Sequence, residues 1–477
     1  MMRRRSLLKK LRVALVIAER EVRDQFRDWR IIFPILGLTL FFPFLMNLTA
    51  QQMLDFVTNY GATIIGERMV PFLLMIVGFF PISVSLVIAL ESFVGEKERS
   101  SIEPLLNTPL EDWQLYVGKL LSSTVPPLVG SYLGMAIYLI GLAYKGITLP
   151  PADLLFLIFI LTTVQAFMMV SGAVVVSSQA TSVRAANLLA SFIVIPMALL
   201  IQGESVVMFW ADYQVLWMAV LGVIVLGILL IRIGLAHFQR EELLGREIDV
   251  LNFRWGWQVF WRRFTGSAHS VREWYRVSLP QALREMRLSI LVTLLVGITG
   301  LLVGYLGFRQ YFLRVSPDQL QDVYQNAQLL LQAWPFGDFR PVLGIFWQNS
   351  RALLVGFVLG YLSLGVLGLL PLMATMGIAG YLLMLLSGNG LPLITFAALI
   401  VPHGIFEIPA AILSTAAVLH SGAILVTPNS TKTVGEVWLT TLADWFKIVI
   451  GLVIPLLFLA AIIEAWITPR IALLFMR

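Results

Sequence analysis

Charge is missing from this chain in runs long enough to cross a lipid bilayer, and that pattern restricts the fold more than any motif does. Residues 31–49 and 70–90, for example, contain no Asp, Glu, Lys or Arg. A hydrocarbon core offers no water to the backbone, so only helices and closed barrels span it. A run of about 20 apolar residues is helix length, whereas a barrel strand needs only about ten, alternating in polarity. The chain therefore reads as an all-α polytopic integral membrane protein with about 11–12 transmembrane helices. Its composition agrees: 58% of the 477 residues are hydrophobic, 13% are charged and the mean hydropathy is +0.85, which excludes a soluble globular enzyme.

With no cysteine, disulfides, thiolate metal sites and cysteine nucleophiles are excluded, and four histidines remain as imidazole ligands. The net charge of +6 does not point to nucleic acid, because membrane proteins collect arginine on their cytoplasmic loops. The first thirty residues carry ten Lys/Arg and four acids without a cleavage site. Leu11, Ala14, Leu15, Ala18 and Val22 recur at helical spacing, which predicts an amphipathic helix on the inner membrane surface. Crossings are expected near 31–49, 70–90, 120–143, 153–176, 186–203, 213–232 and 288–307. Two tightly connected crossings follow in 351–388, a long broken helix or re-entrant pair in 391–426, and a last crossing in 441–466. Over the first seven crossings, 24 Lys/Arg fall on one side against 5 on the other, which puts the N-terminus in the cytoplasm of a plasma-membrane protein.

Ten arginines and a cluster of Trp255, Trp257, Phe260, Trp261, Trp274 and Tyr275 lie between Arg232 and Arg287. Such residues suit the headgroup level of a membrane, and 246–277 is expected to be a cytoplasmic linker between domains 1–245 and 278–477. Ser278 and Gln281 have capping-box spacing and predict a helix start.

Residues 91–121 form the most charged loop between early crossings. Glu96, Lys97, Glu98 and Arg99 make a polar collar after Gly95. Ser100 with Glu103, and Thr108 with Glu111, have capping-box spacing, with Pro109 at a first helical position. The spacing predicts a short surface helix between two crossings, suited to receive force from a cytoplasmic partner. An ordinary charged turn is the alternative. The order Glu-Lys-Glu-Arg (96–99), Leu-Leu-x-Thr-Pro-Leu (105–110), Trp113 and Gly-Lys-Leu-Leu (118–121) resembles type-2 ABC transporter permeases. The resemblance covers about residues 10–245, including Ser-Ser-Gln-Ala-Thr-Ser-Val-Arg-Ala-Ala-Asn (177–187) and Phe-Gln-Arg-Glu-Glu-Leu-Leu (238–244). It implies that 96–113 is a coupling helix for a separate ATPase subunit, with Glu96, Lys97, Glu98, Arg99, Glu103, Thr108, Pro109, Glu111 and Trp113 in the contact. It also implies a homodimer, with ATP and magnesium held by the partner. The chain itself contains no G-x-x-x-x-G-K-[ST] phosphate loop.

The second constellation is Pro402, His403, Gly404, Glu407 and Pro409 within an apolar stretch. Ionisable residues at membrane depth are costly and mark function by default. His403 and Glu407 share a helical face and could hydrogen-bond, and the prolines and glycine predict a broken or kinked helix. A self-satisfying pair that fixes packing, a transport role and metal or hydrolytic chemistry are all open. A zinc protease would need a third ligand, and none is near in sequence, so no metal or catalytic residue is assigned. Asn349, Arg351, Asn389, Lys447 and Glu464 are further polar residues in apolar surroundings. Pro-His-Gly-Ile-Phe-Glu-Ile-Pro-Ala (402–410) and Phe-Trp-Gln-Asn-Ser-Arg-Ala-Leu-Leu (346–354) resemble the stage II sporulation protein M family over about 278–468, with Asn349 and Arg351 in the second motif. That family implies an all-helical membrane domain, with members that scaffold cell-wall-degrading enzymes. The chain departs from the family in reading Met-Ala-Thr-Met-Gly at 373–377 where an Asn-Gly step is expected.

Three functions follow as expectations. The first is the permease subunit of an ATP-driven transporter. The second is a non-transporting scaffold that positions or regulates cell-envelope enzymes. The third is an intramembrane enzyme built on His403 and Glu407.

Overall fold

A computed structural model describes residues 2–59, 63–99, 107–180, 182–209, 213–238, 253–307, 325–326, 329, 331–332, 334, 337–390, 392–427 and 433–475. Helices dominate and no strand occurs among these residues. Eleven helices among them are long and apolar enough to cross a membrane, so the protein is an all-α polytopic membrane protein. The chain divides into two compact units, Met1–Leu251 with Val426–Ser430, and Asn252–Leu425 with Thr431–Arg477.

The first unit contains α1 (Met2–Gln25), α2 (Trp29–Asn59), α3 (Thr63–Glu98), α4 (Asp112–Tyr144), α5 (Ala152–Gln179), α6 (Val183–Leu189), α7 (Ser191–Phe209) and α8 (Tyr213–His237). Pro34, Pro43, Pro81, Pro126, Pro127 and Pro196 all lie inside continuous helices. The core forms where α3, α4 and α5 pack on one another and α2, α7 and α8 close around them. α1 does not bury the whole stripe that its sequence suggests. Ala14 and Ala18 are buried, while Leu11 and Leu15 stay exposed. The reason is close approach. A Cβ at Gly118 of α4 would stand 3.0 Å from Ile17 and 3.1 Å from the Ala14 carbonyl, so only small residues fit the contact.

The second unit contains α9 (Phe253–Thr265), α10 (Val271–Glu273), a π turn (Trp274–Ser278), α11 (Leu279–Glu285), α12 (Arg287–Gly307), α13 (Phe339–Leu362), α14 (Leu369–Gly388), α15 (Leu393–Leu425) and α16 (Val434–Ile448). A second π turn (Val449–Val453), α17 (Ile454–Ile462), a third π turn (Ile463–Ile467) and α18 (Thr468–Phe475) complete it. α15 is the central helix, packed by α12, α13, α14, α16, α17 and α18. It runs unbroken through Pro402, Gly404 and Pro409, against the expectation of a broken helix. The six helices packed against it bury Gly404 and Ala410 on either side of Glu407. α12 and α14 approach most closely: a Cβ at Gly304 would lie 1.9 Å from the Gly377 carbonyl oxygen, and one at Gly380 would lie 2.0 Å from that of Leu301.

The helix start expected at Ser278 is displaced. Ser278 is buried, its backbone is already helical at the end of the π turn, and its hydroxyl is turned to the Thr265 carbonyl, to which it donates at 2.9 Å, so it makes no cap bond. Ser270 caps instead, accepting from Glu273 N at 3.2 Å while the Glu273 carboxylate accepts from His269 N at 2.9 Å. The arginine- and aromatic-rich segment supplies α9, which packs against α16. Arg263 grips Asp444 of α16 through Nε and Nη2 at 2.7–2.9 Å and meets Glu285 at 2.5 Å. Burial opposes the Arg263 charge, yet Asp444 and Glu285 raise its pKa above the ordinary arginine value. Burial also pushes the Glu285 carboxyl up, and the Arg263 guanidinium outweighs it, holding Glu285 below the usual carboxylate range.

Candidate functional site

The first unit gathers the end of α3, the start of α4, the turn between α5 and α6, the end of α8 and part of α1 at one end of its bundle. Lys119 is the centre. Its side chain is 1% exposed, and Nζ reaches Glu96 at 2.6 Å at the end of α3 and Glu21 at 3.1 Å on α1. A lysine this buried is stable only when paired, and here one cation fastens three helices. Phe93, Tyr116 and Phe238 cluster beside it with centroids 5.1–6.4 Å apart, joining α3, α4 and the residue after α8. Ser177 Oγ accepts from Phe93 N at 3.0 Å and Val94 N at 3.2 Å, tying α5 to α3. Glu98 Oε1 accepts from Val183 N at 2.7 Å, which puts a carboxylate on the first turn of α6, where helix N–H groups are free and the dipole favours negative charge.

The expected contact residues divide accordingly. Glu96, Lys97 and Glu98 belong to the last turn of α3, which passes through Gly95 without ending, and Arg99 follows it, 3.9 Å from Glu91. Ser100 and Glu103 lie outside the described residues. The helix start expected at Thr108 is not met, since residues 107–111 are turn and extended chain. The cap sits three residues later: Glu111 precedes α4, its N–H donates to Gln114 Oε1 at 2.9 Å, and the Trp113 indole donates to its carboxylate at 2.5 Å. Gln114 reproduces the backbone bond that a capping box needs. Of 177–187, all but Thr181 is described, and of 238–244 only Phe238 is.

In the second unit His403 and Glu407 do share a face of α15, but their side chains stand 4.0 Å apart (Nε2 to Oε2), too far for the expected hydrogen bond. His403 Nδ1 instead meets Thr468 Oγ1 of α18 at 3.2 Å. Glu464, on the third π turn, completes a group whose ligand atoms all lie within 4.8 Å. Pro402 flanks this group, Gly404 is buried and Pro409 is exposed. Asn349 and Arg351 lie mid-way along α13, half-buried and exposed, and neither bonds to the His403 group.

Residues 15–213 match the family model described as ABC-2 family transporter protein, and residues 289–469 match that of stage II sporulation protein M. The chain joins an ABC-2 family transporter domain to a stage II sporulation protein M domain. No curated protein and no solved structure matches it. The Lys119 junction thus belongs to the ABC-2 domain, and the His403 group to the sporulation protein M domain. Sequence reasoning counted Lys119 as a loop charge and as part of the Gly-Lys-Leu-Leu motif, and gave it no contact role. Its signal was present, since Gly-Lys-Leu-Leu places a lysine inside a helix that continues for a full crossing. Glu204 of α7 was also missed; it is buried and accepts from Gln165 of α5 at 2.6 Å. A lone glutamate within an apolar run was its available signal.

Proposed function

We propose that the chain is the membrane-spanning permease subunit of an ATP-binding-cassette transporter, driven by a separate ATPase that docks against 96–113 and holds ATP and magnesium. The observation that carries this reading is the Lys119 junction. Force applied to the loop between α3 and α4 passes through Glu96 and Lys119 to α1 and α4, and through Glu98 to α6. Rigid, buried connections of this kind transmit a push as a body movement instead of dissipating it in side-chain motion. The reading places the junction and the N-terminus in the cytoplasm, the protein in the plasma membrane, and a second copy beside it as a homodimer. The arginine-rich segments support that orientation.

A second reading has a specific observation in its favour. A sporulation protein M domain in the same chain suits a complex in which the ATPase-driven movement repositions cell-envelope enzymes and no solute crosses. Purification of the tagged protein from its native host in mild detergent, with mass spectrometry of bound chains, tests both. A stoichiometric P-loop ATPase that is lost when 96–113 is altered supports the permease reading. Cell-wall hydrolases without an ATPase support the scaffold. Glu98→Lys should lower partner-stimulated ATPase activity about tenfold with membrane insertion unchanged, the size expected for loss of one charged contact.

A further inference from the structure

Three polar side chains from two distant stretches meet inside the sporulation protein M domain. His403 and Glu407 lie one turn apart on α15, and the third π turn carries Glu464 to them. One ligand atom from each lies within 4.8 Å of the others. Atoms bound to one tetrahedral ion at about 2.1 Å stand about 3.4 Å apart, so side-chain shifts of about 1 Å close the set. Single π turns recur at functional sites because they re-aim a side chain without ending the helix.

Two further observations point to a cation. His403 Nδ1 is engaged by Thr468 Oγ1 at 3.2 Å, and Thr468 is buried. With Nδ1–H donated to that hydroxyl, the Nε2 lone pair faces the carboxylates, which is how an outer hydrogen bond sets the tautomer of a ligating imidazole. Charge balance is the other. Among the described residues Glu464 makes no hydrogen bond or ion pair, and Glu407 has one ion-pair approach, 4.0 Å to His403. Both acids stand within helical segments long and apolar enough to span the membrane, and Glu407 lies about 21 Å by helix rise from the start of α15. Two carboxylates without a cation are expensive there, and a divalent ion neutralises both.

We propose that His403, Glu407 and Glu464 form a divalent transition-metal site that fastens α15 to the last helical segment of the chain. Mixed imidazole and carboxylate ligands suit zinc, manganese or iron, and they disfavour the thiolate-seeking ions.

The test uses the full-length chain in detergent, stripped with a chelator, loaded separately with Zn2+ and Mn2+, desalted, and assayed by inductively coupled plasma mass spectrometry. About one ion of one metal per chain is expected, falling at least tenfold in His403→Ala and in Glu464→Gln. Adding the retained metal should raise the melting temperature of the wild type and leave that of Glu464→Gln unchanged. Should either variant aggregate, Thr468→Val keeps all three ligands and should weaken retention about tenfold, as loss of an outer-shell bond does. Retention of neither metal by the wild type overturns the proposal, as does equal retention by folded His403→Ala. A pair of carboxylates kept neutral by protons alone gives the first of these results.

Discussion

Replacing Lys119 by Met tests the junction most directly, because Met keeps most of the apolar stem and removes only the charge. Breaking a fully buried ion pair from one side costs about 3–5 kcal/mol, since the surviving partner is left uncompensated. Here the lysine is 1% exposed, but the side chains of Glu21 and Glu96 keep 25% and 27% of their surface. Partial exposure of both side chains leaves the pair partly screened, which brings the expected loss to about 1–3 kcal/mol. Two acids remain near one another, so the loss should shrink when they are neutralised. In a Glu21→Gln, Glu96→Gln background, Lys119→Met should cost about 1–2 kcal/mol less than in the wild type. Unfolding by SDS titration in mixed micelles, followed by circular dichroism, gives all four corners of the cycle. If Lys119→Met unfolds within about 0.5 kcal/mol of the wild type, or costs the same in both backgrounds, the shared ion pair does not hold these helices together.

Gly304→Ala should destabilise the second unit by about 1–3 kcal/mol, because its Cβ would fall 1.9 Å from the Gly377 carbonyl oxygen and force α12 from α14. Gly297→Ala on the same helix meets nothing nearer than 3.8 Å and should be neutral or stabilising by up to about 1 kcal/mol in the same titration. The Glu285 carboxyl, held low by Arg263, contributes stability that is complete above its unfolded pKa of about 4.3 and is lost as pH falls through its lower folded value. Melting between pH 5 and 3 should therefore decline less steeply in Glu285→Gln than in the wild type. The effect should be about 0.5–1 kcal/mol, because the pair is about one-third exposed.

The helices were legible because their signal is local. About 20 apolar residues suffice to specify a crossing, and the expected crossings overlap the helices long and apolar enough to span, although the first of the pair expected in 351–388 begins earlier, at Phe339, and the stretch expected to be broken or re-entrant is one continuous helix, Leu393–Leu425. Both family resemblances were legible for a related reason, as short motifs survive in linear order. Caps were less so. Thr108–Glu111 and Ser278–Gln281 have the right spacing, but the observed caps are Glu111 and Ser270, because Gln114 and Glu273 supply the bonds and Ser278 already has helical backbone within a π turn. A spacing rule identifies residues able to cap and is silent about competing partners.

Sequence alone thus determined the class of the protein, its crossings and its two family domains, since hydropathy and motif order act over a few tens of residues. Tertiary structure decided which charges share a site. Lys119 and Glu21 are 98 residues apart, Arg263 and Asp444 are 181, and His403 and Thr468 are 65. In a membrane a charged group must find its partner wherever packing delivers one, and no local pattern along the chain encodes that meeting.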